Sequence, residues 1–274
     1  MATPASSYLM GHTDHERRRL ALQAAVLNPL TESFVSRAGL APGMRVLDLG
    51  CGIGEVAMIV ARLVGPGGHV TAIDMDSGAL DIAWARAAEA GLSQISFEHI
   101  NVADHHAPQP YDAVVGRHIL IHTADPLAIL RQCVAQLHPG GMVAFQEYDL
   151  VHPHPTIPPK PLWDRTANLF VDLFARATHG DIGMRLFAMF RELGLANVET
   201  RAEFVLDGGP ESPFYEWVSE TVRSVLPKLE ALGIATASEL DVETLAERLK
   251  QEAVAIGGCV TSPVMAGTFG CKQA

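Results

Sequence analysis

The chain has 274 residues, 48% hydrophobic and 19% charged, which permits a sizeable buried core and excludes an intrinsically disordered protein. Its net charge of −11 argues against a nucleic-acid partner, because phosphate binding needs clustered Lys and Arg, and Arg17-Arg18-Arg19 reads as the solvated side of a helix. No apolar run approaches the roughly 20 residues that span a bilayer, the start lacks signal-peptide organisation, and the four cysteines (Cys51, Cys133, Cys259, Cys271) show no zinc-ligand spacing, so a cytoplasmic protein is expected.

Residues 1–38 read as a helical cap segment with apolar Leu20, Ala24, Leu27 and Phe34, and residues 39–274 as one domain. From Arg45 to Tyr148, short β-branched runs alternate with helical patterns. Arg45–Leu49 is a buried strand, followed by a glycine turn and a helix, Glu55–Val64, closed by Gly65-Pro66-Gly67-Gly68. Strand His69–Ile73, helix Ser77–Ala90 and strands Ile95–Ile100 and Tyr111–Val115 come next. Helix Pro126–Leu137 then leads through the turn Pro139-Gly140-Gly141 into strand Met142–Glu147. Four short connections of this kind force right-handed crossovers and a parallel sheet, so the fold class is doubly wound α/β. Beyond it, a Pro- and His-rich linker at 152–161 precedes helices Trp163–Arg176, Phe214–Leu232 and Val242–Ile256. A strand is expected at Val198–Leu206 and a final one at Cys259–Gly270. The helices within 152–190 and 210–257 are insertions expected to form a helical cap over an active site.

Asp48-Leu49-Gly50-Cys51-Gly52-Ile53-Gly54 lies between the first strand and the first helix of the sheet pattern. Ligands of such sheets bind at the carboxyl ends of strands, where backbone must approach closely and Cβ atoms obstruct. A dinucleotide fingerprint needs glycine at position 55, which holds Glu55. A carboxylate in the first helical turn opposes a pyrophosphate, and Asp48 adds a second negative charge. A ligand carrying an ammonium and a sulfonium suits such a site, which favours S-adenosylmethionine (SAM) over NAD. Asp74, at the end of the second strand, is placed to accept hydrogen bonds from ribose hydroxyls, and Met75 to lie against adenine. The blander alternative makes Asp74 the cap of the helix beginning near Ser77 and Met75 a core residue.

These residues carry a resemblance. V-L-D-L-G-C-G-I-G at 46–54 and A-I-D-M-D at 72–76 are similar to the first two motifs of class I SAM-dependent methyltransferases. Y-D-A-V-V-G-R-H-I-L-I-H at 111–122 and L-H-P-G-G-M-V-A-F-Q-E at 137–147 resemble the later ones, most closely in the branch that methylates small metabolites and natural products. The resemblance implies a seven-stranded, mostly parallel, Rossmann-like sheet whose last strand, near Val260–Phe269, runs antiparallel. It implies that Asp48, Gly50, Gly52 and Gly54, with Cys51 among them, shape the pocket for the amino-acid end of SAM. Asp74 would hold the ribose and Met75 would flank adenine. Asn101-Val102 occupies the place where the family often has an Asp and a small residue near the adenine amine. Arg117 stands where backbone atoms meet the methionine moiety, and Tyr8 and Gln23 are candidates for the cofactor carboxylate.

Methyl transfer from a sulfonium is an in-line displacement in which the protein mainly positions the nucleophile and excludes water. A base helps only where the acceptor must lose a proton. His118 and His122 share a face if Arg117–Thr123 is helical, and Glu147 is expected at the pocket rim; His122 and Glu147 are the preferred catalytic candidates. His105-His106 and His152-Pro153-His154 lack the carboxylate cluster of a metal site, so no metal is expected. Trp163, Phe170, Phe174, Phe187, Phe190, Phe214, Tyr215 and Trp217 either line an apolar pocket, implying a largely apolar small-molecule acceptor, or form ordinary core. The competing readings are an NAD(P)-dependent oxidoreductase, a non-catalytic SAM-binding protein, and a SAM-assisted rearrangement or cyclisation. The N-terminal helices either cap their own subunit or exchange in a homodimer.

Overall fold

The interior strands of the central sheet are short runs buried almost throughout, as two-sided coverage by helices requires. The structure is a computed structural model that describes residues 14–152 and 154–273, and of residues 14–17 the backbone only. In chain order the elements are α1 (Asp14–Ala38), β1 (Arg45–Leu49), α2 (Glu55–Val64), β2 (His69–Asp74), α3 (Ser77–Glu89), β3 (Ile95–His99) and β4 (Tyr111–Arg117). A 3-10 turn (Leu120–His122), α4 (Pro126–Ala135), β5 (Leu137–Asp149), α5 (Pro161–Ala177), α6 (Ile182–Glu192), β6 (Ala196–Glu203) and β7 (Leu206–Asp207) follow. The described chain closes with α7 (Phe214–Ala231), α8 (Ala237–Leu240), α9 (Leu245–Ile256), β8 (Val260–Thr261) and β9 (Val264–Cys271).

Seven strands form one sheet in the order β3-β2-β1-β4-β5-β9-β6. The β1/β2, β1/β4, β2/β3 and β4/β5 pairs are parallel. The end of β9 meets the start of β5: the Lys272 N–H donates to Gly141 O at 2.8 Å, and the Gly140 N–H to Lys272 O at 3.0 Å. That exchange makes β9 antiparallel to β5, so the mostly parallel, doubly wound sheet is as expected.

Three local expectations need correction. Pro139-Gly140-Gly141 lies inside β5, which begins at Leu137; the register against β4 slips between Tyr111 and Ala113, so the triplet is an irregularity within a strand. The final strand is interrupted at Ser262-Pro263, where proline supplies no N–H. The piece before the break, β8, pairs with β7 in a separate two-stranded sheet, and the expected strand at Val198–Leu206 divides between β6 and β7. Helix α6 carries its own signal, with Ile182, Leu186, Met189 and Phe190 buried at helical spacing.

The chain divides into two compact units. The sheet unit comprises Leu27–Glu147, Ile182–Ala202 and Ala266–Ala274. In its core Phe34 of α1 packs on Phe269 of β9 with ring centroids 6.2 Å apart. It also lies over Gly267, where a Cβ would stand 2.6 Å from the Phe34 ring.

The helical unit comprises the described residues up to Val26, Tyr148–Asp181 and Glu203–Met265. Trp163, Phe214, Tyr215 and Trp217 are buried and pack on one another, with ring centroids 5.4 to 6.4 Å apart. These four form the packed centre of the unit, so their apolar character by itself indicates no ligand. Glu252 of α9 accepts the Leu162 and Trp163 N–H groups at 2.8 and 2.9 Å, capping the start of α5.

Candidate functional site

The turn between β1 and α2 is held from below by the strand ladder and from the side by a carboxylate. The Cys51 N–H donates to Ile73 O at 3.0 Å, and the Gly52 N–H to Asp74 Oδ2 at 2.8 Å. The other oxygen of Asp74 accepts the Asp76 N–H at 2.9 Å. Asp74 therefore belongs to the turn and not to α3, whose N-cap is Asp76, accepting from the Gly78 and Ala79 N–H groups. Met75 is 64% exposed, which removes the core alternative for it as well.

Two glycines of the turn face different surroundings. Gly50 has φ 63°, and a Cβ there would stand 2.5 Å from Ile119 Cδ1. Gly52 has φ 52°, yet a Cβ there would meet nothing within 4 Å. One flank of the turn is thus packed and the other open, and the open flank adjoins the Asp74 carboxylate. Gly54, also left-handed, forms the N-cap of α2 without a side-chain hydrogen bond.

Asp48 is 1% exposed, and burial pushes its carboxyl up to about 8, against the pull of the Arg117 guanidinium; Asp74 adds to the rise. The Cys51 thiol is also driven well up, by burial first and by Asp48 and Asp74 after it. Arg117 ends β4 and reaches α1, donating to Asn28 Oδ1 at 3.0 Å and to Thr31 Oγ1 at 2.9 Å. Its side chain is therefore structural cement that the sequence pattern did not disclose. Asn28 in turn donates to Glu55 Oε2 at 2.7 Å, while Arg86 of α3 pairs with Glu55 Oε1 and donates to Ile53 O.

This network corrects the electrostatic case drawn from Glu55. Its charge is paired with Arg86 and does not stand bare at the start of α2, and Asp48 is largely protonated at neutral pH. What continues to disfavour a dinucleotide here is the side chain at position 55 where the fingerprint has none.

The segment after β4 also departs from expectation. His118 has a left-handed backbone (φ 55°), and only a 3-10 turn follows. His118 and His122 therefore do not share a helical face. His122 is half-buried at the end of that turn. Glu147 does not lie at a rim: it is fully buried, and its Oε1 accepts the Ile119 and Leu120 N–H groups at 2.9 and 2.7 Å. Burial pushes its carboxyl up to about 8, with the backbone N–H groups of residues 119–121 opposing.

Asn101 and Val102 are half-buried, and Asn101 Oδ1 accepts its own Ala103 N–H at 2.9 Å. Gln23, buried in the helical unit, accepts from the Arg19 guanidinium. Tyr8 lies outside the described residues. Within the sheet unit, then, Asp48, the glycines and Asp74 meet at one turn, Arg117 acts there only through its charge on Asp48, and Glu147 reaches it through Ile119. Buried His105 is bonded to Tyr111, and exposed His152 to Asp149. Among the described residues no group of three or more His, Cys, Asp or Glu side chains could hold a metal ion, and no helix is long and apolar enough to cross a membrane.

A family profile described as a methyltransferase domain matches residues 40–187. The ubiquinone biosynthesis O-methyltransferase of Xanthomonas campestris pv. campestris (strain B100) is 40% identical over 117 residues, which is 42% of this chain and 47% of that protein. The chain thus spans about half the length of the curated relatives it matches. Among solved structures, a sarcosine dimethylglycine methyltransferase from Galdieria sulphuraria, so described provisionally, shares the fold with a TM-score of 0.56 and 15% identity, covering 97% of this chain and 93% of that one. The cyclase SpnF shares it with a TM-score of 0.54 and 18% identity, covering 90% and 82%. At those identities the two structures speak to fold alone.

Proposed function

The chain belongs to the class I SAM-dependent methyltransferases, and from that premise we propose that it transfers a methyl group from SAM to a small-molecule acceptor. The observation that carries the reading is the Asp74–Gly52 contact beside the open flank of Gly52. A carboxylate ending β2 faces a turn from which side chains are missing, at the carboxyl edge of the sheet. The open flank gives room for the backbone to meet the amino-acid end of the cofactor, and Asp74 keeps acceptor capacity for ribose hydroxyls. When bound, SAM supplies an electrophilic methyl group on a sulfonium.

The protein's own contribution is then placement. Asp48 and Arg117 brace the turn from behind, and exposed Met75 offers a flank for adenine with Asn101-Val102 at its edge. Gln23 and Tyr8 are proposed for the cofactor carboxylate. His122 is proposed to take the proton where the acceptor is a hydroxyl, the acceptor type that the name of the Xanthomonas relative suggests. Glu147, buried and committed to backbone, serves position instead of proton transfer.

Calorimetric titration with S-adenosylhomocysteine, on wild type and Asp74→Ala, tests the proposal. Micromolar binding by wild type, weakened at least about tenfold in the variant, is expected. A folded wild type that does not bind overturns it.

A further inference from the structure

We propose that Glu147 is a positioning residue for the cofactor turn, acting on Gly50 through Ile119. The inference rests on the reading that this turn holds SAM.

A fully buried carboxylate is an expensive group to keep, and burial of an unsatisfied oxygen makes it more so. Glu147 is 0% exposed, and its Oε2 is buried with no hydrogen-bond partner among the described residues. The other oxygen is spent on backbone alone, on the Ile119 and Leu120 N–H groups. The carboxylate sits against three successive N–H groups, those of residues 119–121, an arrangement that binds anions. Here the acceptor is the protein's own carboxyl group.

What it holds is a strained piece of chain. His118, immediately before, has φ 55°, uncommon for a residue with a Cβ, and its N–H is tied to Gln146 O at 2.9 Å. Such conformations persist only where the surroundings over-determine them, and residues 146 and 147 of β5 do so with consecutive groups. The next residue, Ile119, is the wedge. Its Cδ1 would lie 2.5 Å from a Cβ at Gly50, and its Cγ2 3.0 Å from one at Gly116. Ile119 thus packs against the backbone just past β1 and against β4 together, and it forms the packed flank of the turn whose other flank is open. Close-packed contacts of this kind transmit displacement. Removing the acceptor at 147 frees two N–H groups, lets His118 relax and withdraws the wall behind Gly50, with no change at any residue proposed to touch the cofactor.

The test compares wild type, Glu147→Gln, Glu147→Ala, Ile119→Ala and the Glu147→Ala/Ile119→Ala double variant. S-adenosylhomocysteine affinity is measured by calorimetry well below each melting transition, and amide hydrogen exchange of residues 48–54 is measured without ligand. Glu147→Gln keeps an acceptor for both N–H groups and is expected to bind within about threefold of wild type. Glu147→Ala and Ile119→Ala are each expected to lose at least about tenfold, with faster exchange in the turn, and the double variant to bind no more weakly than the worse single, because both act on one contact. Wild-type affinity in Glu147→Ala with unchanged exchange overturns the inference, as do losses that multiply in the double variant. If Glu147→Ala does not fold, Ile119→Ala decides alone, and wild-type binding by it overturns the inference. Absence of binding by wild type sinks the cofactor reading itself, a result distinct from equal binding by wild type and variants.

Discussion

The Asp74 carboxylate accepts the Gly52 N–H at 2.8 Å, so the side chain that ends β2 also fixes the turn that follows β1. Its second oxygen is occupied by the Asp76 N–H. Asp74→Asn keeps the shape but turns one acceptor into a donor facing an N–H. A loss of about 1–2 kcal/mol in stability is expected from that clash of donors, together with weaker binding of S-adenosylhomocysteine. Thermal melts with and without ligand measure both, and an unchanged melting temperature would mean that the turn does not depend on this bond.

Gly50→Ala and Gly52→Ala separate packing from ligand access. Both place a Cβ on a left-handed backbone, worth about 1–2 kcal/mol of strain. Only Gly50→Ala also drives that Cβ into Ile119, so it is expected to be the less stable variant by at least about 1 kcal/mol. Gly52→Ala is expected to fold and to lose ligand affinity, because its Cβ enters the open flank. Chemical denaturation ranks the stabilities, and calorimetry reads the affinity.

Arg86→Met removes the partner of Glu55, whose side chain is 12% exposed against 34% for Arg86. With the arginine partly screened by solvent, a destabilisation of about 1–3 kcal/mol is expected. Adding Glu55→Gln is expected to recover part of it by removing the stranded charge. Equal stability of the two variants would show that the ion pair contributes nothing beyond packing.

The pH dependence of stability follows from Glu147, whose carboxyl is raised by burial to about 8. A folded-state value above the unfolded one contributes stability that is whole below about pH 4 and is lost as pH rises towards about 8, because the unfolded chain ionises first. Glu147→Gln removes this group from the titration. Its melting temperature relative to wild type is therefore expected to climb between about pH 5 and about pH 8, and parallel curves would contradict the buried, protonated carboxyl. Asp48, raised by burial in the same way, keeps a residual slope in both proteins.

The site was readable where its determinants are local. The glycines at 50, 52 and 54 and the carboxylate at 74 sit at the ends of strands that announce themselves by β-branched runs, so the turn and the carboxylate beside it could be located along the chain. Arg117 could not: its partners Asn28 and Thr31 are 89 and 86 residues away, and nothing in the run before it indicates that its side chain turns back to α1. Glu55 was misread for the same reason, since Arg86, which cancels its charge, lies across a helix-helix contact. At His118 the single left-handed residue breaks the helix that a four-residue histidine spacing suggested. Aromatic spacing in the later helices marked burial for most of its residues, but Phe187 is 46% exposed, neither core nor pocket wall by that measure, and spacing could not tell packed centre from pocket wall for the rest.

The sheet order has a consequence for biosynthesis. β9 is last of the seven strands in sequence, yet it lies between β5 and β6. As the chain leaves the ribosome, β6 therefore has no strand to pair with, and one side of β5 stays open, until β9 is made. Throughout that interval two raw β edges are open to other nascent chains, the condition under which strands pair with the wrong partner. Changes that stop translation just short of β9 should thus yield insoluble product, whereas stops that also remove β6 spare one of the two edges.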